Sequence, residues 1–271
     1  EIRIPVEDPI AVGARFHMAH ASGPTILFFH GNGEIVADYD EIGLLFNRLG
    51  LNVMVVDYRG YGCSDGSPTE ANVYADVEAC YRWLIDQRGY TAAQVDAFGR
   101  SLGGAVGSWL ASRDDVNPAG VIIESTFSSG LDMGKRLYPV LPARLITRIG
   151  YPVRDYVTRI DAPLMVVHSR QDEIIPFDMA ETVFQAANEP KTFLELGGDH
   201  NAGFWISRET YVPALDTFFT RVLGPARPSR RARPRTATMS SELASLAAEV
   251  VAAARAAGVT LGTAESITGG R

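Results

Sequence analysis

Residues 97–104 read Ala97-Phe-Gly-Arg-Ser-Leu-Gly-Gly104 and place one serine between two glycines. An apolar run, Gln94 to Phe98, comes before them, and Leu102 to Arg113 follows with apolar residues at helical spacing. A strand that turns sharply into a helix at Ser101 leaves no room for side chains two positions away on either side. Gly99 and Gly103 occupy those two positions. Such a turn lifts the hydroxyl to its tip, which is how a chain exposes a serine nucleophile.

Working outward, strand-like runs cover Ile2 to Pro5, Ala14 to Ala19, Thr25 to His30, Asn52 to Val56, Gln94 to Phe98, Gly120 to Ile123, Pro163 to His168 and Lys191 to Leu196. Amphipathic helices separate most of the later ones. The first, about Glu70 to Arg88, has Val73, Val77, Cys80, Tyr81 and Leu84 on one face, Thr69 as N-cap and Gly89 past its end. Another, about Ser207 to Leu223, aligns Leu215, Phe218, Phe219 and Val222. Strands that are apolar throughout imply a mostly parallel eight-stranded sheet with helices on both faces, an α/β fold. Catalytic groups then belong at the carboxyl ends of the strands. Residues of about 127–156 interrupt the alternation with Leu137, Tyr138, Leu141, Leu145 and Ile146, and read as a small helical cap.

A serine hydroxyl needs a neutral imidazole to take its proton and an acid to orient that imidazole. Among the five histidines, His200 follows the last strand in the Gly-rich loop Leu196-Gly-Gly-Asp-His-Asn-Ala-Gly203, from where it can reach back over the sheet edge. It is the leading base, and His168, at a strand end, is the second candidate. His17 and His20 lie upstream among edge strands and are structural.

The loop His30-Gly-Asn-Gly-Glu34, the loop Asp57-Tyr-Arg-Gly-Tyr-Gly62, the elbow, Asp172 and Gly198-Asp-His-Asn201, in that order, resemble the α/β-hydrolase superfamily over residues of about 1–224. Within it, the chain is most similar to the branch of serine aminopeptidases, monoglyceride-lipase-like and depalmitoylase-like hydrolases. The resemblance implies Asp172 as the triad acid, with Glu124 as the runner-up. It also implies an oxyanion hole from the backbone amides of Leu102 and Asn32, with Gly33 as the alternative to Asn32. Asp57 and Arg59 are expected to fix loop conformation, and Arg100 to have no required part in proton transfer.

The chemistry expected is acyl-enzyme hydrolysis of a carboxylic ester, with a thioester or amide as alternatives, by Ser101, His200 and Asp172. No cofactor is needed, and no His and acid cluster has metal-ligand spacing. A ligand- or protein-binding member of the fold without activity, a peptidase, and a nicotinamide-nucleotide amidohydrolase activity from the tail are the rival readings. Net charge is −7, but five arginines fall within residues 225–238, leaving about −12 on the rest. An acidic body of this kind argues against a nucleic-acid partner and leaves a small acyl-containing substrate. No apolar run is long enough to span a bilayer, and Cys63 and Cys80 have no redox spacing, so a reduced cytoplasmic protein is the simplest expectation.

Residues 225–238, rich in Pro and Arg, read as a disordered linker. Beyond it, residues 239–271, with Thr263-Ala-Glu-Ser-Ile-Thr-Gly-Gly270, resemble the start of the competence-damage-inducible (CinA) C-terminal domain, a nicotinamide-nucleotide amidohydrolase. Ile267 stands where that motif has a cysteine, and the match stops after about thirty residues, so Ser266 is expected to be inert.

Overall fold

A computed structural model describes residues 1–138 and 149–223. The cap positions Leu141, Leu145 and Ile146, the linker and the CinA-like segment with Ser266 lie outside the described residues.

Eight strands form one sheet in the order β1-β2-β4-β3-β5-β6-β7-β8. They are β1 Ile2–Glu7, β2 Ile10–His17, β3 Thr25–Phe29, β4 Asn52–Val56, β5 Val95–Arg100, β6 Gly120–Glu124, β7 Leu164–Ser169 and β8 Lys191–Leu196. β2 runs antiparallel to both β1 and β4, and every pairing from β4 to β8 is parallel. β2 begins four residues earlier than its apolar pattern suggests, because Glu7 pairs with Ile10 across a tight hairpin.

The helices are α1 Asp40–Arg48, α2 Glu70–Arg82, α3 Leu102–Ala111, α4 Gly130–Leu137, α5 Val153–Val157, α6 Phe177–Ala186, α7 Gly203–Ile206 and α8 Arg208–Leu223. Thr69 caps α2 by accepting a hydrogen bond from the Asn72 amide at 3.2 Å. The α-helix expected to reach Arg88 ends at Arg82 and continues as a π-helical turn, Trp83–Gln87. That wider turn keeps Leu84 buried in the same core.

Successive side chains of a strand point to opposite faces, so each central strand feeds two cores. Leu27 and Phe29 pack with Met54, Val56 and Ala97 under α2, α3, α5 and α6, whereas Ile26 and Phe28 pack with Val53, Val55 and Phe98 under α1 and α8. Each fully buried side chain of this kind stabilises the fold by about 1.5–3 kcal/mol. β3 leads into α1 on one face, while its neighbour β5 leads into α3 on the other. The loops that follow these two strands both emerge at the carboxyl edge of the sheet.

Candidate active site

Ser101 stands between β5 and α3 with φ 54° and ψ −119°. A backbone of that kind costs about 1–3 kcal/mol for a residue with a side chain and persists only where its surroundings enforce it. Here they do. A Cβ on Gly99 would lie 2.1 Å from the Gly103 carbonyl oxygen, and one on Gly103 would lie 1.9 Å from that of Phe29. The Ser101 amide donates to Glu124 O at 2.8 Å, and the Thr126 hydroxyl lies 3.0 Å from Ser101 O and 2.9 Å from Glu124 O. The elbow is thus stitched to the end of β6.

Asp172 and His200 come from the loops after β7 and β8, and both are buried. His200 Nδ1 lies 2.7 Å from Asp172 Oδ2, while the other carboxylate oxygen accepts from the amides of Ile174 at 3.0 Å and Ile175 at 2.7 Å. Burial acts to raise the Asp172 pKa, but the His200 bond, the Ile175 amide and nearby His168 outweigh it and hold the carboxyl below its ordinary value. The imidazole is therefore oriented by an ionised acid. Glu173 accepts from the His200 amide at 3.0 Å and fixes the loop that carries it.

The other acid and base candidates are employed elsewhere. Glu124, at the end of β6, accepts from the Tyr211 hydroxyl and faces Arg100 Nε at 3.7 Å. Burial raises its pKa despite Arg100. His168 is fully buried, with Nε2 2.8 Å from Ile175 O and 3.4 Å from Asp172 Oδ2, and burial lowers its pKa. His30 Nδ1 is 2.8 Å from Gly31 O, and its Nε2 lies 3.2 Å from Asp57 Oδ1, an oxygen that accepts from the Val36 amide at 2.9 Å. Arg59 pairs with buried Asp76 at 2.7 Å and with Glu7 at 2.8 Å.

The loop after β3 runs beside the serine: a Cβ on Gly31 would lie 3.3 Å from Ser101 Cβ. Asn32 and Gly33 are exposed there, and the Asn32 side chain accepts from Tyr61 at 2.6 Å. Leu102 opens α3, where a backbone N–H has no acceptor within the helix. No hydrogen bond among the described residues joins the Ser101 hydroxyl to the His200 imidazole. The two loops are linked instead through Arg100, whose Nη2 donates to His200 O at 2.8 Å.

Glu34, Glu173 and Tyr211 are site neighbours to which motif reading gives no role. Arg100 is visible in the motif as the residue before the serine, but its partners across the chain are not. Two open surface depressions, one lined by Trp109, Arg113 and Arg159 and the other by Ser128, Arg136 and Asp178, include none of Ser101, Asp172 and His200. Among the described residues no cluster of His, Cys, Asp and Glu is arranged to hold a metal ion, and no helix is long and apolar enough to cross a membrane.

A family model described as the alpha/beta hydrolase fold matches residues 24–143. An uncharacterized protein of Mycobacterium tuberculosis, Rv2307c, is 32% identical over 229 residues, which are 83% of this chain and 81% of that one. The alpha/beta hydrolase domain-containing protein WAV2 of Arabidopsis thaliana is 32% identical over 202 residues, 68% of this chain and 66% of its own. Among solved structures, the Pyrococcus furiosus esterase Pf2001 superposes with a TM-score of 0.68 at 19% identity, covering 82% of this chain and 92% of its own.

Proposed function

The chain belongs to the α/β-hydrolase superfamily, and from that membership we propose that it is a serine hydrolase that cleaves a carboxylic ester, with thioesters and amides as related substrates. Its hydrolase chemistry accords with the esterase whose fold it shares. The observation that carries the finer reading is the 2.7 Å bond between His200 and Asp172, on the same sheet edge as the strained elbow of Ser101.

In this mechanism Ser101 Oγ attacks the acyl carbon as His200 Nε2 takes its proton. Asp172 keeps the proton on Nδ1 and stabilises the imidazolium that forms. Negative charge on the carbonyl oxygen is met by the amides of Leu102 and Asn32, each worth about a hundredfold to a thousandfold in rate. His200 then protonates the leaving group, and water, activated by the same imidazole, releases the acid. Glu124 is a poor substitute for Asp172 because its oxygens face Tyr211 and Arg100. The two cysteines are free, Cys80 in the core and Cys63 exposed.

Treatment with a fluorophosphonate tests the proposal, because only an activated serine is modified. Covalent mass on the Ser101 peptide of the wild type, absent after His200→Ala, is the expected result. Wild-type protein that stays unlabelled at Ser101, with p-nitrophenyl ester turnover undiminished in Ser101→Ala, would reject it.

A further inference from the structure

Arg100 is the residue before Ser101, and its side chain meets three other parts of the site. Nη1 reaches Glu34 Oε1 at 2.5 Å. Nη2 donates to His200 O at 2.8 Å and to Asn201 Oδ1 at 3.0 Å. Nε faces Glu124 Oε1 at 3.7 Å. Glu34 carries the connection onward, since its Oε2 accepts from the Gly31 amide at 2.6 Å and from the Tyr39 hydroxyl at 2.6 Å. One guanidinium therefore joins the loop after β3, the end of β6 and the loop after β8 to the strand that ends in the elbow.

We propose that Arg100 is a positioning residue that holds the oxyanion loop and the histidine loop in register with Ser101. The inference rests on the serine-hydrolase reading of the site. The loop after β3, the elbow and the loop after β8 each contribute a group to the proposed reaction, and Arg100 ties the elbow to the last directly and to the first through Glu34. Their relative placement decides whether nucleophile, base and oxyanion donors converge, and displacement of about 1 Å can cost a hundredfold in rate. A planar fork with donors in separate directions suits this task, whereas a lysine is a single point charge. Burial opposes the charge on Arg100, but Glu34, Tyr39 and Glu124 outweigh it and keep the guanidinium protonated. The clamp is therefore permanently charged across the working pH range.

Arg100→Ala, Arg100→Lys, Glu34→Ala and the double variant Arg100→Ala/Glu34→Ala, measured beside Ser101→Ala on p-nitrophenyl acetate, test this. Arg100→Ala should lower kcat about a hundredfold with KM within about threefold of wild type, because the loss falls on alignment rather than on binding. Millimolar guanidinium, far below denaturing concentration, should restore about tenfold of that kcat by refilling the vacated position. A role confined to stability would not respond in this way. Glu34→Ala should lose a similar factor, and the double variant should be no worse than either single one.

If Arg100→Ala fails to fold, Arg100→Lys carries the test, and its kcat should fall at least about tenfold in folded protein. Wild-type kcat in Arg100→Lys, or losses in the alanine variants that only track the unfolded fraction and ignore guanidinium, overturn the proposal while a dead Ser101→Ala leaves the hydrolase reading standing. Undiminished turnover in Ser101→Ala overturns both.

Discussion

Asp172 and His200, 28 positions apart, meet in a 2.7 Å bond between Oδ2 and Nδ1, with the second carboxylate oxygen already taken by the Ile174 and Ile175 amides. The acid has no freedom to turn, so it selects one imidazole tautomer. Replacing it with an amide keeps the shape but removes the charge that sets that tautomer. Asp172→Asn should lower kcat/KM for p-nitrophenyl esters by about a hundredfold to ten-thousandfold. Glu124→Gln should cost about tenfold or less, through Arg100 rather than His200. A larger loss in Glu124→Gln than in Asp172→Asn would exchange the roles assigned to the two acids.

The same two carboxyls should act on stability with opposite sign. The depressed pKa of Asp172 means that its ionised form stabilises the native state above the unfolded value of about 3.9, and that this contribution disappears as pH falls through the folded value. The raised pKa of Glu124 means that the native state is favoured below the unfolded value of about 4.3, and that this advantage is lost as pH rises through the folded value. Urea unfolding of wild type, Asp172→Asn and Glu124→Gln from acid to neutral pH checks both signs. The deficit of Asp172→Asn should shrink on acidification below about pH 4, and Glu124→Gln should gain on wild type as pH rises. Parallel curves for the three proteins would contradict the assignment.

The elbow glycines can be compared with a glycine that has only a backbone reason to be there. Gly103→Ala pushes a Cβ to 1.9 Å from the Phe29 carbonyl oxygen, inside the sheet, whereas a Cβ on Gly89, with φ 72°, meets nothing within 4 Å. Gly103→Ala should destabilise by more than about 3 kcal/mol or prevent folding, and Gly89→Ala by about 1 kcal/mol. Thermal unfolding distinguishes them, and equal shifts would mean that the close approach at the elbow is relieved at little cost.

The expected catalytic groups all lie between Asn32 and His200, and α8 ends at Leu223. A chain ending at Gly224 should therefore keep ester turnover within about twofold of the full chain. Loss of turnover in the folded shorter chain would assign the tail a part in this activity. Nicotinamide-mononucleotide deamidation by the full chain, abolished by Ser266→Ala, would show that Ser266 is active after all.

Much of this architecture is local in origin and was readable as such. The Asn52–Val56 and Lys191–Leu196 runs form strands with those same bounds, the first apolar and buried throughout, the second a half-buried edge strand in which Phe193, Leu194 and Leu196 stand among polar residues. The Thr69 cap is equally local, a hydroxyl three residues from the amide it satisfies. The widened turn at Trp83–Gln87 was not readable, since α and π turns share the same apolar spacing until packing selects one.

By itself, the sequence determined the mostly parallel α/β sheet and the Gly99-Arg-Ser-Leu-Gly103 elbow, because strand and helix patterns and the small residues of a tight turn are local features of the chain. The tertiary structure alone decided how the charged side chains are shared out. Arg100 finds Glu34 across 66 positions and Asn201 across 101, and Tyr211 takes Glu124 across 87. No periodicity encodes such pairings. They follow from which loops the sheet order brings to one edge, and from the need of each buried charge there to find a partner.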